Sequence, residues 1–313
     1  MTGLLAELLV ERPVLVADGA TGTNLMLAGL KAGRLPDQWN VDRPDDVGGL
    51  HRAFVDAGSD LILTNTFGGS ARRLGRFGLG GRCEELNIAG ARLARAAADA
   101  AGRPLVVAGA MGPHGEMMPP FGELAAEAAE AGFAEQAMAL AAGGVDVLWL
   151  ESFFILDELA AAMRAASATG LPIAVTLTFD TAGHTMMGAS PAAAFDFVRG
   201  LDVPVIAFGS NCGREPEAVV ESVAAIARHA GPDAVIVAKA NCGMPVIGRV
   251  IGGGGFRYRA TPADMAGYAQ DARAAGARIV GGCCGTTPAH VVAMAEALAE
   301  AQPDAWAEPA IVP

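Results

Sequence analysis

Short runs of β-branched and other apolar residues recur along the chain, separated by longer stretches rich in Ala, Glu and Leu. The runs predict strands at Val14–Asp18, Leu61–Thr66, Pro104–Ala110, Val145–Glu151, Pro172–Phe179, Val205–Ser210, Asp233–Ala240 and Arg278–Gly282. Each is almost continuously apolar rather than alternating, which marks strands covered on both faces, as in a parallel sheet. The intervening segments predict helices at Val47–Ala57, Arg82–Ala101, Glu123–Ala142, Leu156–Ala168, Ser190–Arg199, Glu215–His229, Pro262–Ala275 and Thr287–Ala301. Ser190-Pro191 and Thr287-Pro288 each set an N-cap residue before a proline whose missing N–H costs a helix nothing at its first position. Strand starts recur about every 38 residues, the spacing of a βα unit. Eight units predict a single-domain α/β fold, the (β/α)8 or TIM barrel, over residues 1–301, with a proline-bearing tail at 302–313. A doubly wound open sheet is the alternative. It favours a glycine-rich phosphate loop after the first strand, and Gly19-Ala20-Thr21-Gly22-Thr23 lacks the GxGxxG spacing.

The glycine-rich segments 75–81 and 248–255 fall between a strand and the next helix. They are therefore expected on the C-terminal rim, either as mobile lids or as surface slack.

Composition narrows the class. Of 313 residues, 52% are hydrophobic and 18% charged, enough for a large core. A net charge of −12, with 34 acidic against 22 basic residues and no basic cluster, argues against nucleic acid as a partner. Mean hydropathy is +0.36, yet the uncharged stretch Ala165–Phe179 is short and broken by Gly170 and Pro172, so no membrane span is expected. Glu7 and Glu11 interrupt the first apolar stretch, and no basic start precedes it. No signal peptide is expected, and the expected location is the cytoplasm.

The five cysteines are odd in number and suit reduced thiols better than a disulfide framework. Cys212, Cys242 and the pair Cys283-Cys284 stand at the ends of predicted strands six, seven and eight. Chemistry in a barrel collects at those ends. Converging thiolates from Cys212, Cys283 and Cys284 would suit a zinc ion with its fourth position open. Spacing alone equally permits buried apolar cysteines or a vicinal redox pair. Cys242 reads as a small buried side chain beside the site or as a competing ligand. Lys239, one of two lysines, falls inside strand seven and reads as a carboxylate's partner or a Schiff-base amine. His114 and His184 fall in rim loops, as solvated residues or proton carriers.

Asp18-Gly19-Ala20-Thr21-Gly22-Thr23, Thr64-Asn65-Thr66-Phe67, Leu150-Glu151, Ser210-Asn211-Cys212 and Gly281-Gly282-Cys283-Cys284-Gly285-Thr286-Thr287-Pro288 stand in this order along the chain. Together, from about Val14 to Leu298, they resemble the homocysteine S-methyltransferase family. That family includes the homocysteine module of cobalamin-dependent methionine synthase and the betaine–homocysteine methyltransferases. The resemblance implies a (β/α)8 barrel in which Cys212, Cys283 and Cys284 bind Zn2+. The zinc-bound homocysteine thiolate then attacks a methyl donor and yields methionine. It also implies that Asn211 lies beside the metal, that Asp18 and Glu151 hold the substrate's amino group, and that Gly19 lets the substrate approach the backbone.

The donor implied is glycine betaine or a related onium compound. The alternative is a homocysteine-binding subunit that takes methyl from a separate corrinoid protein, since no cobalamin-binding segment is recognised here. A quaternary ammonium calls for an aromatic cage. The better-known betaine enzymes carry an aromatic residue where this chain has Gly68, leaving Trp39, Phe67, Phe121, Phe153 and Phe154 as candidates near the rim. Cys242 stands where the family's NAG segment has alanine. A reading of another class is a redox dithiol protein using Cys283 and Cys284.

Overall fold

All eight apolar runs form strands. They are β1 (Leu15–Val16), β2 (Leu61–Leu63), β3 (Val106–Met111), β4 (Val147–Phe153), β5 (Ile173–Leu177), β6 (Ala207–Cys212), β7 (Ile236–Ala240) and β8 (Ala277–Gly282). The computed structural model describes residues 3–31, 33–250 and 253–300; the tail expected at 302–313 lies outside the described residues. The strands are parallel and neighbour one another in the order β1-β8-β7-β6-β5-β4-β3-β2. A parallel bridge between Ala17 and Leu61 joins the two ends, so the ring closes and the open-sheet alternative is excluded. β1 is too short to hold this seam by its own ladder. Asp60 supplies the rest: its N–H donates to the Val16 carbonyl at 2.7 Å, and its carboxylate accepts the Val16 N–H at 3.0 Å. Arg12 and Arg103 pair with the same carboxylate. The fold is a single (β/α)8 barrel.

The strands are buried along almost their whole length because they separate two apolar layers. Outside, helices pack on the sheet through residues such as Phe54, Phe133, Leu159 and Val223. Inside, Leu15, Leu61, Val106, Trp149, Val237 and Ile279 fill the ring. Its floor is closed by a helix at Leu4–Glu11, which the strand-and-helix reading left out. Leu5, Leu8 and Leu9 join the inner cluster, while Glu7 and Glu11 face outward. Arg278 donates to the carbonyls of Leu9, Arg12 and Pro13, satisfying acceptors that a helix end leaves open.

Of the two predicted caps, the Ser190 hydroxyl accepts the Ala193 N–H at 3.2 Å, while the Thr287 hydroxyl bonds the His290 ring at 2.8 Å. Regular elements adjoin both glycine-rich segments. Segment 75–81 ends a short helix at Ala71–Gly75 and enters a 3-10 turn at Gly80–Arg82. The second flanks residues 251–252, which lie outside the description. On either side, Val246–Val250 pairs antiparallel with Gly253–Arg257 as a two-stranded ribbon. No helix among the described residues is long and apolar enough to cross a membrane.

The floor can be weakened from the end opposite the strand-end cysteines. Leu8→Ala should cost about 2–5 kcal/mol of stability in denaturant titration, through lost burial and the cavity left behind. The ratio of reactive thiols in the folded protein should stay unchanged.

Candidate active site

At the C-terminal ends of the strands lies a cavity of about 250 Å³. Its wall includes Gly19, Glu151, Ser152, Cys212, Lys239, Cys283 and Cys284. The sulfur atoms of Cys212, Cys283 and Cys284 all lie within 4.8 Å of one another. Cys212 and Cys283 are 3.3 Å apart, and no described cysteine is in a disulfide. The two strands that carry these thiols are not paired; β7 stands between them. The ends must therefore bend inward. Cys212 does so with a left-handed backbone (φ 66°), rare for a residue with a side chain. The chain turns just after Cys283-Cys284 at Gly285 (φ 86°), against the Tyr258 ring.

Side chains behind the wall fix these bends. β4 bulges between Leu150 and Phe153, and Ser152 is also left-handed (φ 64°). The Asn211 amide locks the bulge: its Oδ1 accepts the Ser152 N–H at 2.9 Å, and its Nδ2 donates to the Ser152 hydroxyl at 2.6 Å. The same Nδ2 lies 3.3 Å from the Cys212 sulfur. Asn241 does the equivalent work on the other side. It accepts the Cys284 N–H at 2.9 Å and donates to the Gly213 carbonyl at 2.7 Å. Hydrogen bonds from Cys212 and Cys283 hold the Cys284 thiol down, to about 4. Hydrogen bonds to its neighbouring thiols and burial push Cys212 up.

The carboxylates separate into two situations. Glu151 faces the cavity, and burial pushes it up to about 8, with the Cys283 sulfur adding to the effect. Asp18 is fully buried behind the wall. One oxygen accepts from Lys239 Nζ at 2.7 Å and the other from the Leu63 N–H at 2.8 Å. Burial raises Asp18, and the Lys239 ammonium opposes that rise. Of the two lysine readings, the carboxylate partner is the one the structure shows. Gly19 lines the cavity, but a Cβ there would lie 2.7 Å from the Thr286 carbonyl oxygen and 2.9 Å from the Phe54 ring, so close packing alone demands a glycine.

Other candidates fall away from the cavity. Cys242 is buried, with its sulfur 3.4 Å from the Thr286 hydroxyl and outside the trio. His114 is buried, stacked on Phe133 at 3.7 Å and bonded to Ser70 and the Ala129 carbonyl; burial lowers its pKa. His184 bonds its own turn at Ala182. Of the five aromatic candidates only Phe67 lines the cavity. Ser152, Asn241 and Tyr258 were missed. Tyr258 hydrogen-bonds the Thr23 and Cys284 side chains, and its only advance signal was being one of two tyrosines.

A family model described as homocysteine S-methyltransferase matches residues 15–298, nearly the whole described barrel. The chain belongs to the homocysteine S-methyltransferase family. Methionine synthase of Mycobacterium tuberculosis is 33% identical over 94% of this chain, and that of Mycobacterium leprae is equally similar. The chain spans about a quarter of the length of these curated relatives (25%). Among solved structures, the oxidised form of the Escherichia coli homocysteine methyltransferase MmuM superposes with a TM-score of 0.77 at 24% identity. It covers 94% of this chain and 99% of that one. A metallated form of the same protein superposes at 0.76. These structural likenesses confirm the barrel of this homocysteine S-methyltransferase family member.

Removing one partner of a buried ion pair strands the other. Lys239→Met should therefore cost about 3–5 kcal/mol in denaturant titration, because Asp18 would keep a buried carboxylate without its cation. Lys239→Met combined with Asp18→Asn should recover part of that loss.

Proposed function

We propose that this protein transfers a methyl group to the sulfur of homocysteine to form methionine, with zinc held by Cys212, Cys283 and Cys284. The observation that carries the reading is the convergence of three sulfurs at the wall of a strand-end cavity. The donor set fits the metal. Three soft thiolates suit zinc, and three protein ligands leave the fourth position to a substrate. Three thiols crowded at one point are also an arrangement that a dication would complete. That a relative of this fold is known in a metallated form agrees with this.

A free thiol with a pKa of about 8.5 is only about 3% ionised at pH 7. Zinc in this position would supply the missing ionisation to a thiol ligand, worth about 30-fold or ~2 kcal/mol. The residues of the chain do the rest. Glu151 receives the ammonium of the amino acid, which restores the charge that burial opposes. The Asp18–Lys239 pair, internally neutral, holds the ends of β1, β2 and β7 behind it. Asn211 and Asn241 keep the thiols from separating. The methyl carbon must then arrive in line between the sulfur and its leaving group, and alignment of this kind is worth several kcal/mol. The donor is an onium compound such as glycine betaine. The match to one region of methionine synthases supports a second source, a methylated corrinoid protein.

Cys284→Ala should lose both bound zinc, by elemental analysis, and methyl transfer to homocysteine, whereas Cys242→Ala should keep the metal. A metal-free Cys284→Ala protein with full activity would refute the reading, and activity that survives chelation would favour the redox dithiol. Glu151→Gln should raise the homocysteine KM about 10- to 100-fold, the loss expected for one charged hydrogen bond. Its zinc content should stay unchanged.

A further inference from the structure

The cavity has a second pole, away from the sulfurs, made by Leu35, Asp37, Phe67, Gly68 and Arg73. Asp37 is 2% exposed, and its Oδ1 has no hydrogen-bond partner. The carboxylate accepts from the Gly68 backbone, but an orphaned buried oxygen remains costly unless a positive charge stands near it. Arg73 faces it. One Nη donates to the Pro113 carbonyl at 3.1 Å, and the guanidinium lies 4.7 Å over the Phe67 ring. The remaining guanidinium donors have no acceptor among the described residues, and Arg73 forms no ion pair with Asp37. Gly68 makes this possible: a Cβ there would lie 3.0 Å from Asp37 Oδ2 and 3.5 Å from Arg73 Nε. A larger residue would press between the two charges.

The helix that carries Arg73 is pinned from outside the cavity. Ser70 caps it and bonds His114, Arg72 pairs with Glu116, and Arg76 donates to the Gly115 carbonyl. The guanidinium is therefore preorganised rather than free to collapse onto Asp37. The one aromatic face at this pole is already covered by Arg73, so an aromatic cage is not what would hold a cation here.

We propose that Arg73 and Asp37 select the methyl donor, Arg73 binding the carboxylate of a zwitterionic onium compound and Asp37 facing its positive centre. The inference rests on the reading of the site as a homocysteine methyltransferase with an onium donor. It names charge, not stacking, as the source of donor specificity. In the transfer the new sulfur–carbon bond forms as the carbon–onium bond breaks, and the bonding pair stays on the donor heteroatom. The donor turns from a zwitterion into an anion. Asp37 then faces a neutral heteroatom beside a carboxylate, which loosens the product.

The test is initial-rate kinetics on zinc-loaded protein at saturating homocysteine. The donors are glycine betaine and dimethylsulfoniopropionate, with choline and tetramethylammonium as onium ions lacking a carboxylate. 3,3-Dimethylbutyrate, the isostere of glycine betaine with a neutral carbon in place of the quaternary nitrogen, is the inhibitor that keeps only the carboxylate. Wild type should strongly prefer the donors with a carboxylate. Arg73→Gln should raise their KM at least 10-fold, abolish the preference and weaken dimethylbutyrate inhibition equally. Arg73→Lys should recover part of the effect. Asp37→Asn should raise the KM of both zwitterions about 10-fold while leaving dimethylbutyrate inhibition intact. The homocysteine KM and zinc stoichiometry should stay constant in every variant and so report an intact fold. Unchanged donor KM and preference in Arg73→Gln would overturn the assignment alone. Methylation only from a methylated corrinoid protein would overturn it together with the onium reading.

Discussion

Three thiols within 4.8 Å of one another cannot all ionise without a cation among them, and the rim of this barrel brings them together. Two of the ends involved take left-handed backbone at residues with side chains, Ser152 and Cys212. Such conformations persist only where the surroundings over-determine them. Here the surroundings are two amides: Asn211 bonds the Ser152 N–H and hydroxyl on β4, and Asn241 bonds the backbone at Gly213 and Cys284. Strain at the strand ends and satisfied amides behind them belong to one arrangement, whose product is a fixed distance between sulfurs on unpaired strands.

The charges around the cavity follow a consistent logic. Asp18 and Lys239 are both buried and bonded to each other, so they form a neutral support. Glu151, half-buried, and Asp37, buried, are carboxylates without such a partner, and burial raises both, Asp37 to about 6. Unpaired acids at a cavity wall are expensive to keep, and they are what a protein needs if its ligands arrive as cations. On the proposed reading the amino acid's ammonium completes Glu151 and the donor's onium centre completes Asp37. The two substrates then approach from opposite poles, with the sulfur and methyl carbon between them.

The motifs resemble those of betaine enzymes, yet Gly68 stands where those enzymes carry an aromatic residue, which speaks against an aromatic cage. The cavity explains the glycine differently. It is the space through which Asp37 and Arg73 share a pole, and among the described residues one aromatic ring, Phe67, lines it. The same position that removes a stacking partner admits a charged pair.

What the sequence determined alone was the architecture and the chemically distinctive residues. Eight apolar runs, each too hydrophobic for a sheet with one wet face, require burial on both sides, and the βα spacing then leaves a closed ring as the economical solution. Cysteines at strand ends carry their own chemistry, so Cys212, Cys283 and Cys284 were legible too. The plug at Leu4–Glu11 was also written in the pattern, in Leu4, Leu5, Leu8 and Leu9, but the two glutamates obscured it. What only the tertiary structure decided was which polar residues face the cavity. Asp18 and Glu151 look alike in sequence, each an acid closing an apolar run, yet one is consumed by Lys239 and the other is left open. Asp37 lies in a 3-10 turn at Pro36–Gln38 and Arg73 in the helix at Ala71–Gly75, both too short for a periodicity to single them out. Burial and partnership arise from contacts between residues far apart in the chain, and local pattern carries no record of those contacts.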